Sequence, residues 1–376
     1  MTPGPDPALE TRIFNDDLLL NVRDLKYAQD QFPKIFPLLD NSALRSVFRK
    51  YEKRANEAHL WVHGLGLFAV VFGTIALVSA ATSSFHAPAK YSRSLTIVFE
   101  ACGVLAALVA GGSLWLGPWK RRWLESRFMT ERLRQWHFQL FIRRAGDIET
   151  GFANMTPGSL HTFQARRQQW LDNFLRDHEG KLDSRMDSFT HDPDVSNDWL
   201  HDSPSRFDAN CSILPQLFEA YLQLRFLHQY DYLIHKFSRA EDRPFWQLLS
   251  LPLLRQDSLI GGAVSFCFVT TLLGALAVIV NPLFQVPPPF YSFLQSSTLM
   301  IAIIGIALKT IHDGLGVTRD IERYRDYLGK VRRALLQFQA TQDPRTKLHL
   351  MEELELAAVD ELRGFLRTHG DSRFVM

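Results

Sequence analysis

Between Ser258 and Leu308 the chain contains no Asp, Glu, Lys or Arg, and that absence decides more than any motif present. Helices buried in soluble domains rarely run beyond about 14 residues without a polar stripe, so a charge-free stretch of this length excludes an ordinary soluble core. Cysteine is scarce. Cys102, Cys211 and Cys267 form neither a disulfide framework nor a zinc spacing, and two of them sit in apolar runs where a thiol acts as a small hydrophobe. No segment alternates with period two for long enough to support a sheet. There is no nucleophile elbow, no pair of cysteines and no Walker lysine, and neither Gly64-Leu-Gly66 nor Gly314-Leu-Gly316 follows a strand as a phosphate-binding turn would. Nothing points to an enzyme, a cofactor or a nucleic-acid partner. The opening Met1-Thr-Pro-Gly-Pro-Asp-Pro lacks a basic n-region and an apolar h-region, so it reads as a short tail rather than a targeting peptide.

What is present is a sharp segregation of charge. The whole chain of 376 residues looks nearly soluble, with 22% charged residues and a formal net charge of +2. Its apolar residues, however, gather in four runs: about Leu60 to Ala81, Leu95 to Gly117, Ser258 to Val280 and Phe293 to Leu308. A bilayer core about 30 Å thick needs roughly 20 residues at 1.5 Å each. The short connections Thr82 to Ser94 and Asn281 to Ser292 make each pair an antiparallel hairpin. Basic residues flank the outer ends of each pair: Arg45, Arg49, Lys50, Lys53 and Arg54 before the first run, Lys120, Arg121, Arg122 and Arg127 after the second, and Arg243, Arg255, Lys309 and Arg319 around the other hairpin. The loops hold only Lys90 and Arg93, or no charge at all, so both hairpins point their loops away from the cytoplasm. Trp61, Trp115, Trp119 and Trp123 inside, and Phe284, Phe290, Tyr291 and Phe293 outside, fall where interfacial belts belong.

The expected fold is an all-α integral membrane protein with four transmembrane helices as two hairpins of the same orientation, carrying cytoplasmic helical extensions. Along the chain this gives an N-terminal tail with short helices (1–44), the first hairpin with its exit helix (45–148), a helical and loop linker (149–214), the second hairpin with flanking helices (215–340) and a C-terminal amphipathic helix (341–376). Apolar spacing predicts helices from Arg121 to about Ile148, around Leu160 to Leu175, from Pro215 to Ala240 with Leu217, Tyr221, Leu224, Leu227 and Ile234 on one side, from Thr318 to Ala340 and from Lys347 to Thr368. Asp183 to Asn210, rich in Asp, Ser and Pro, reads as an exposed loop. Its His191-Asp192-x-Asp194 and His201-Asp202 offer imidazole and carboxylate groups without a rigid support, so a solvated loop is favoured over a metal site. Glu131-Arg132-Leu133-Arg134 after one hairpin and Glu322-Arg323-Tyr324-Arg325 after the other form a weak repeat, each preceded by an arginine, Arg127 or Arg319. Duplication and the convergence of charge-rich exit helices both account for it.

Several membrane residues are candidates for function. Gly103, Ala107 and Gly111 recur every four residues and allow close helix approach, within the hairpin or between subunits. Glu100 lies about one and a half turns inside the outer end of the same helix. It serves either as a cation-selecting ring around a pore or as a glutamate snorkelling to the headgroups beside Arg93 or Lys90. His63 is a hydrogen-bonded packing residue. On the exit helix, spacings of four place Trp123, Arg127 and Glu131 on one face, with Arg127 and Glu131 able to pair. Arg319 and Glu322 hold the corresponding places after the second hairpin.

The run Trp123-Leu-Glu-Ser-Arg127-Phe-Met-Thr-Glu131-Arg132-Leu133-Arg134, with Tyr51 to Ala55 before the first hairpin and Tyr221-x3-Arg225-x3-Gln229-Tyr230-x-Tyr232 before the second, resembles the SLATT family of two-transmembrane effector domains. The resemblance covers about Tyr51 to Phe141 and, less closely, Tyr221 to Phe365. Four-transmembrane relatives of such effectors are equally close, because this chain has two hairpins rather than one, and it carries no nucleotide-binding or TIR domain. The resemblance implies a homo-oligomeric effector of prokaryotic nucleotide-signalling conflict systems, located in the inner membrane and opening a pore when an upstream sensor protein or nucleotide signal triggers it. A membrane-anchored scaffold or regulator of a cytoplasmic partner, and a small channel or transporter, are the competing expectations.

Overall fold

The computed structural model describes residues 14–82, 89–152, 156–191, 211–238, 253–284 and 287–371; the side chains of most of 89–116, of 281–284, 288 and 289, and of a few helix ends lie outside the described set. The protein is about 90% helical, with no strand among the described residues. In chain order the helices are α1 (Val22–Gln31), α2 (Phe36–Leu39), α3 (Ser42–Thr82), α4 (Ala89–Arg143), α5 (Ala145–Phe152), α6 (Pro157–His178), α7 (Leu182–His191), α8 (Leu214–Tyr221), a π segment (Leu222–Leu227), α9 (His228–Ser238), α10 (Leu253–Phe284), α11 (Pro288–Leu315), α12 (Val317–Ala340) and α13 (Pro344–Asp371). They form two compact units, each assembled from separated stretches of chain: unit 1 from 1–55, 124–238 and 322–367, and unit 2 from 56–123, 239–321 and 368–376.

Unit 1 has a conventional apolar core. The exit helix expected from Arg121 is the second half of α4, and its apolar positions Phe128, Leu133, Phe138 and Phe141 are all buried. Phe138 packs edge-on against Tyr221 at 5.7 Å, Tyr221 against Phe226 at 5.4 Å, and Phe226 lies 5.0 Å from Phe338, so α4, α8, the π segment and α12 share one aromatic spine. Polar side chains satisfy the helix ends. Asn21 caps α1 by accepting from the Asp24 amide at 2.8 Å, Thr156 caps α6, and the Arg167 guanidinium donates to the carbonyls of Pro37, Leu38 and Asp40, the orphan acceptors at the end of α2.

The structure differs from the sequence reading in two places here. Leu182–His191 is a helix rather than the start of a loop. Its composition is polar, but Met186 and Phe189 are buried one turn apart, and Arg363 and Arg367 of α13 donate to the carbonyls of Phe189 and Thr190 at its end. His191 is exposed at the end of α7, and the remaining residues of the two His-Asp clusters lie outside the described residues. The second difference is the π turn. Leu217, Tyr221 and Leu224 are buried as the α period requires, but Leu227 and Ile234 are only half-buried and Leu233 takes the core position. A π turn takes in one residue more than an α register allows, so every later side chain shifts around the helix.

Unit 2 is apolar on its outside. Among the described residues three helical stretches, Phe36–Ala81, Leu253–Val280 and Phe290–Ala340, are long and apolar enough to cross a membrane. Phe266 and Ile279 of α10 are 71% and 74% exposed, which suits a helix whose solvent is lipid. These helices mark a membrane protein. The expected second span, Leu95 to Gly117, lies on the continuous helix α4, and Glu100, Gly103, Ala107 and Gly111 fall within it but outside the residues whose side chains are described. In the second hairpin the helices run further than expected, α10 to Phe284 and α11 from Pro288. A Cβ on Gly305 would stand 3.0 Å from Cys267, and one on Gly274 would collide with the Thr298 hydroxyl. Two turns forward along α10 match two turns back along α11, which is an antiparallel register with both glycines at close crossings. Gly316, at φ +66, ends α11 in the left-handed conformation that only glycine adopts without strain, and the amphipathic α12 begins beside it.

Replacing Gly274 by Leu is therefore expected to force α10 and α11 apart and cost about 1–3 kcal/mol. Gly274→Ala should be much milder once Thr298→Ala removes the colliding hydroxyl. Thermal unfolding of the four purified proteins in one detergent checks whether the second substitution compensates the first.

Candidate functional site

Unit 1 buries a set of charges that apolar packing does not explain. Glu355 is 0% exposed and sits on the buried stripe of α13 with Met351, Leu354, Ala358 and Leu362. Its two oxygens accept from the Arg225 guanidinium in a fork, Nε to Oε1 at 2.7 Å and Nη2 to Oε2 at 2.9 Å. The Tyr221 hydroxyl donates to Oε1 at 2.8 Å and also lies 3.2 Å from the Met351 carbonyl. Tyr221 ends α8 and Arg225 belongs to the π segment, so the irregular turn lies where two polar groups must reach one carboxylate. The Arg225 guanidinium also covers the Phe138 ring at 4.9 Å.

The set continues through the N-terminal segment to the exit helix. Arg225 Nη1 stands 4.0 Å from Asp17 Oδ2, and Asp17 pairs with Arg134 Nε at 2.7 Å. Arg134 donates to Glu131 at 2.6 Å, and Glu131 pairs in turn with Arg127 at 2.6 Å. The pair expected between Arg127 and Glu131 thus exists, as one end of a ladder running Arg127, Glu131, Arg134, Asp17, Arg225, Glu355. Asp17 is delivered by a constrained loop in which buried Leu19 holds φ 56, a conformation that costs a non-glycine residue about 1–2 kcal/mol.

Electrostatics follow from this geometry. Burial by itself would raise the Glu131 carboxyl, but the charges of Arg127 and Arg134 overcome it and hold the group down at about 2. Asp17 is likewise lowered: burial pushes it up, and Arg134, His228 and Arg225 more than reverse that. Burial would lower Arg225, yet the Glu355 charge raises it, and burial together with Glu355 raises the Tyr221 hydroxyl. Asp16 lies beside the ladder without joining it; burial first, and then the Asp17 charge, raise its carboxyl to about 6.

Other expected site residues lie elsewhere. Arg319 and Glu322 are exposed, and Arg325 is exposed where its counterpart Arg134 is a rung of the ladder. Arg323 pairs with Glu361 at 3.1 Å. The two exit-helix strings therefore occupy unlike surroundings. In unit 2, Trp123 is buried, within 5.1–5.3 Å of the rings of His59, His63 and His369. His63 is the packing residue expected, its Nδ1 3.2 Å from the His59 carbonyl. His312 and Thr318 both meet Asp257 Oδ1, at 2.9 and 2.8 Å, and join the start of α10 to the end of α11 and start of α12. Cys211 and Cys267 are free thiols, and no cluster of metal-ligating side chains occurs among the described residues.

Comparison of the chain with known protein families, with curated proteins and with solved structures finds no significant match.

The ladder and Asp16 beside it each make a prediction. Glu355→Gln strands the buried Arg225 charge and is expected to cost about 3–5 kcal/mol, whereas Arg225→Met with Glu355→Met removes both charges and should cost far less; denaturant unfolding measures the difference. Asp16 has a folded pKa above its unfolded value of 3.8, so its contribution is complete below about pH 3.8 and is lost as pH rises through about 6. Asp16→Asn keeps an acceptor for the Leu18 amide, which Asp16 accepts at 3.2 Å. It should raise the unfolding midpoint at pH 7 and leave it unchanged near pH 4.

Proposed function

We propose that this chain is a membrane effector that assembles with copies of itself and forms or gates a pore, with the ladder of unit 1 as the latch of the closed arrangement. What supports the reading is the ladder itself. It ties the N-terminal segment, the exit helix α4, the π segment and α13 through Asp17, Arg225 and Glu355, buried charges that are costly to leave unpaired. A set of this kind favours two discrete arrangements over a continuum, and a trigger that binds the unlatched one better by several kcal/mol changes the populations decisively. In this proposal the chain crosses the membrane four times, the span 95–117 on α4 completing the first hairpin, with both termini cytoplasmic in the inner membrane. The resemblance of Tyr51 to Phe141 to the SLATT effector domains supports an anti-phage setting in which an upstream sensor protein or nucleotide signal supplies the trigger.

The test uses the full chain in liposomes loaded with a self-quenched dye. Glu355→Gln is expected to release dye faster than the wild type at equal protein-to-lipid ratio, and the Arg225→Met, Glu355→Met pair to return release toward the wild-type rate. Glu100→Gln should then change cation selectivity. A scaffold that conducts nothing gives no release from any of these proteins, and that result overturns the pore.

A further inference from the structure

Trp61 of α3 and Trp119 of α4 lie side by side with ring centroids 6.1 Å apart, and both are exposed, 55% and 38%. Indoles packed against one another are ordinarily covered by protein. Here they stand at the boundary where each apolar run meets basic sequence, the position at which an amphipathic ring is most stable in a bilayer. The Arg122 guanidinium lies 5.6 Å from the Trp119 ring. Arg122 is exposed, and among the described residues it has no carboxylate partner, although this protein pairs many of its other arginines. Lys120 donates to the Gly370 carbonyl at 2.8 Å, and Arg121 beside it is exposed.

A guanidinium lying over an aromatic ring is restrained in orientation but keeps its charge, and its edge N–H groups remain free to donate in parallel to two oxygens of a phosphate. Indoles at such a boundary sit at the headgroup level of a bilayer. We infer that Arg122, oriented by Trp119 beside Trp61, is a binding site for the phosphate of an anionic glycerophospholipid in the leaflet at that end of the hairpin. The inference rests on the proposal that the first hairpin crosses the membrane.

The probe is phosphatidylglycerol or phosphatidylcholine carrying bromine on its acyl chains, each at the same mole fraction in nanodiscs that hold the full chain, with quenching of tryptophan fluorescence as the readout. Brominated phosphatidylglycerol should associate with the wild type about fivefold more strongly than brominated phosphatidylcholine. Trp61→Phe with Trp119→Phe should remove the difference in quenching. Arg122→Gln should abolish the preference and Arg122→Lys most of it, since an ammonium keeps the charge and loses the fork. A Lys variant as selective as the wild type would assign the preference to diffuse charge and overturn the site. Equal quenching of the wild type by both lipids would also overturn it while leaving the membrane crossing intact, and no quenching by either lipid would overturn the crossing as well.

Discussion

A charge taken out of water must be met by an opposite charge and by hydrogen bonds, and in this protein the demand of Glu355 organises unit 1. The helix that carries it, α13, is the last of the described helices, its fork partner comes from the π segment, and the next carboxylate comes from the segment before α1. Apolar contacts place these elements roughly, since many arrangements bury the same area. The ladder is far less tolerant, because a shift of one residue leaves an arginine facing rings and no carboxylate. The left-handed Leu19 and the π turn are both departures from regular backbone, and both lie on segments that deliver a rung.

Much of the helical framework was legible in sequence. Length and the absence of charge separate α10 and α11 from everything else, and the 3.6-residue period locates α6, α12 and α13 closely. The Arg127–Glu131 pair followed from spacing alone. Three things escaped for identifiable reasons. The helix α7 owes its stability to two buried side chains and to arginines supplied by α13, far along the chain, which no local window contains. The π turn breaks the very period used to place the core, so Leu233 displaced Ile234. Asp17 sits in a run without periodicity, and its partners are distant. Glu355 did leave a trace: a carboxylate stands in the apolar stripe between Met351 and Ala358. The same comparison weakens the apparent repeat, because Glu131 and Arg134 are rungs of the ladder while their counterparts Glu322 and Arg325 are exposed.

Unit 2 obeys a different solvent. Its outward side chains are apolar, its helices approach through Gly274 and Gly305, hydroxyls within the helices such as Ser265, Thr270, Ser297 and Thr298 bond back to carbonyls one turn earlier, and Asp257, His312 and Thr318 join helix ends. A hairpin held this way is cohesive along its length and needs polar fastening only where the helices leave it. Gly316 marks that point on the second hairpin, and the change from apolar α11 to amphipathic α12 takes place across a single left-handed residue.

The ladder contains as many cations as carboxylates: Arg127, Arg134 and Arg225 against Asp17, Glu131 and Glu355. Displaced as a body, it moves no net charge through an electric field, and the energy of transferring charge across a membrane potential then has nothing to act on. In the proposed pore, a latch of this composition is indifferent to voltage and only weakly coupled to distant ions. Its trigger there is whatever substitutes for one of its rungs, chemistry at close range rather than the electrical state of the cell.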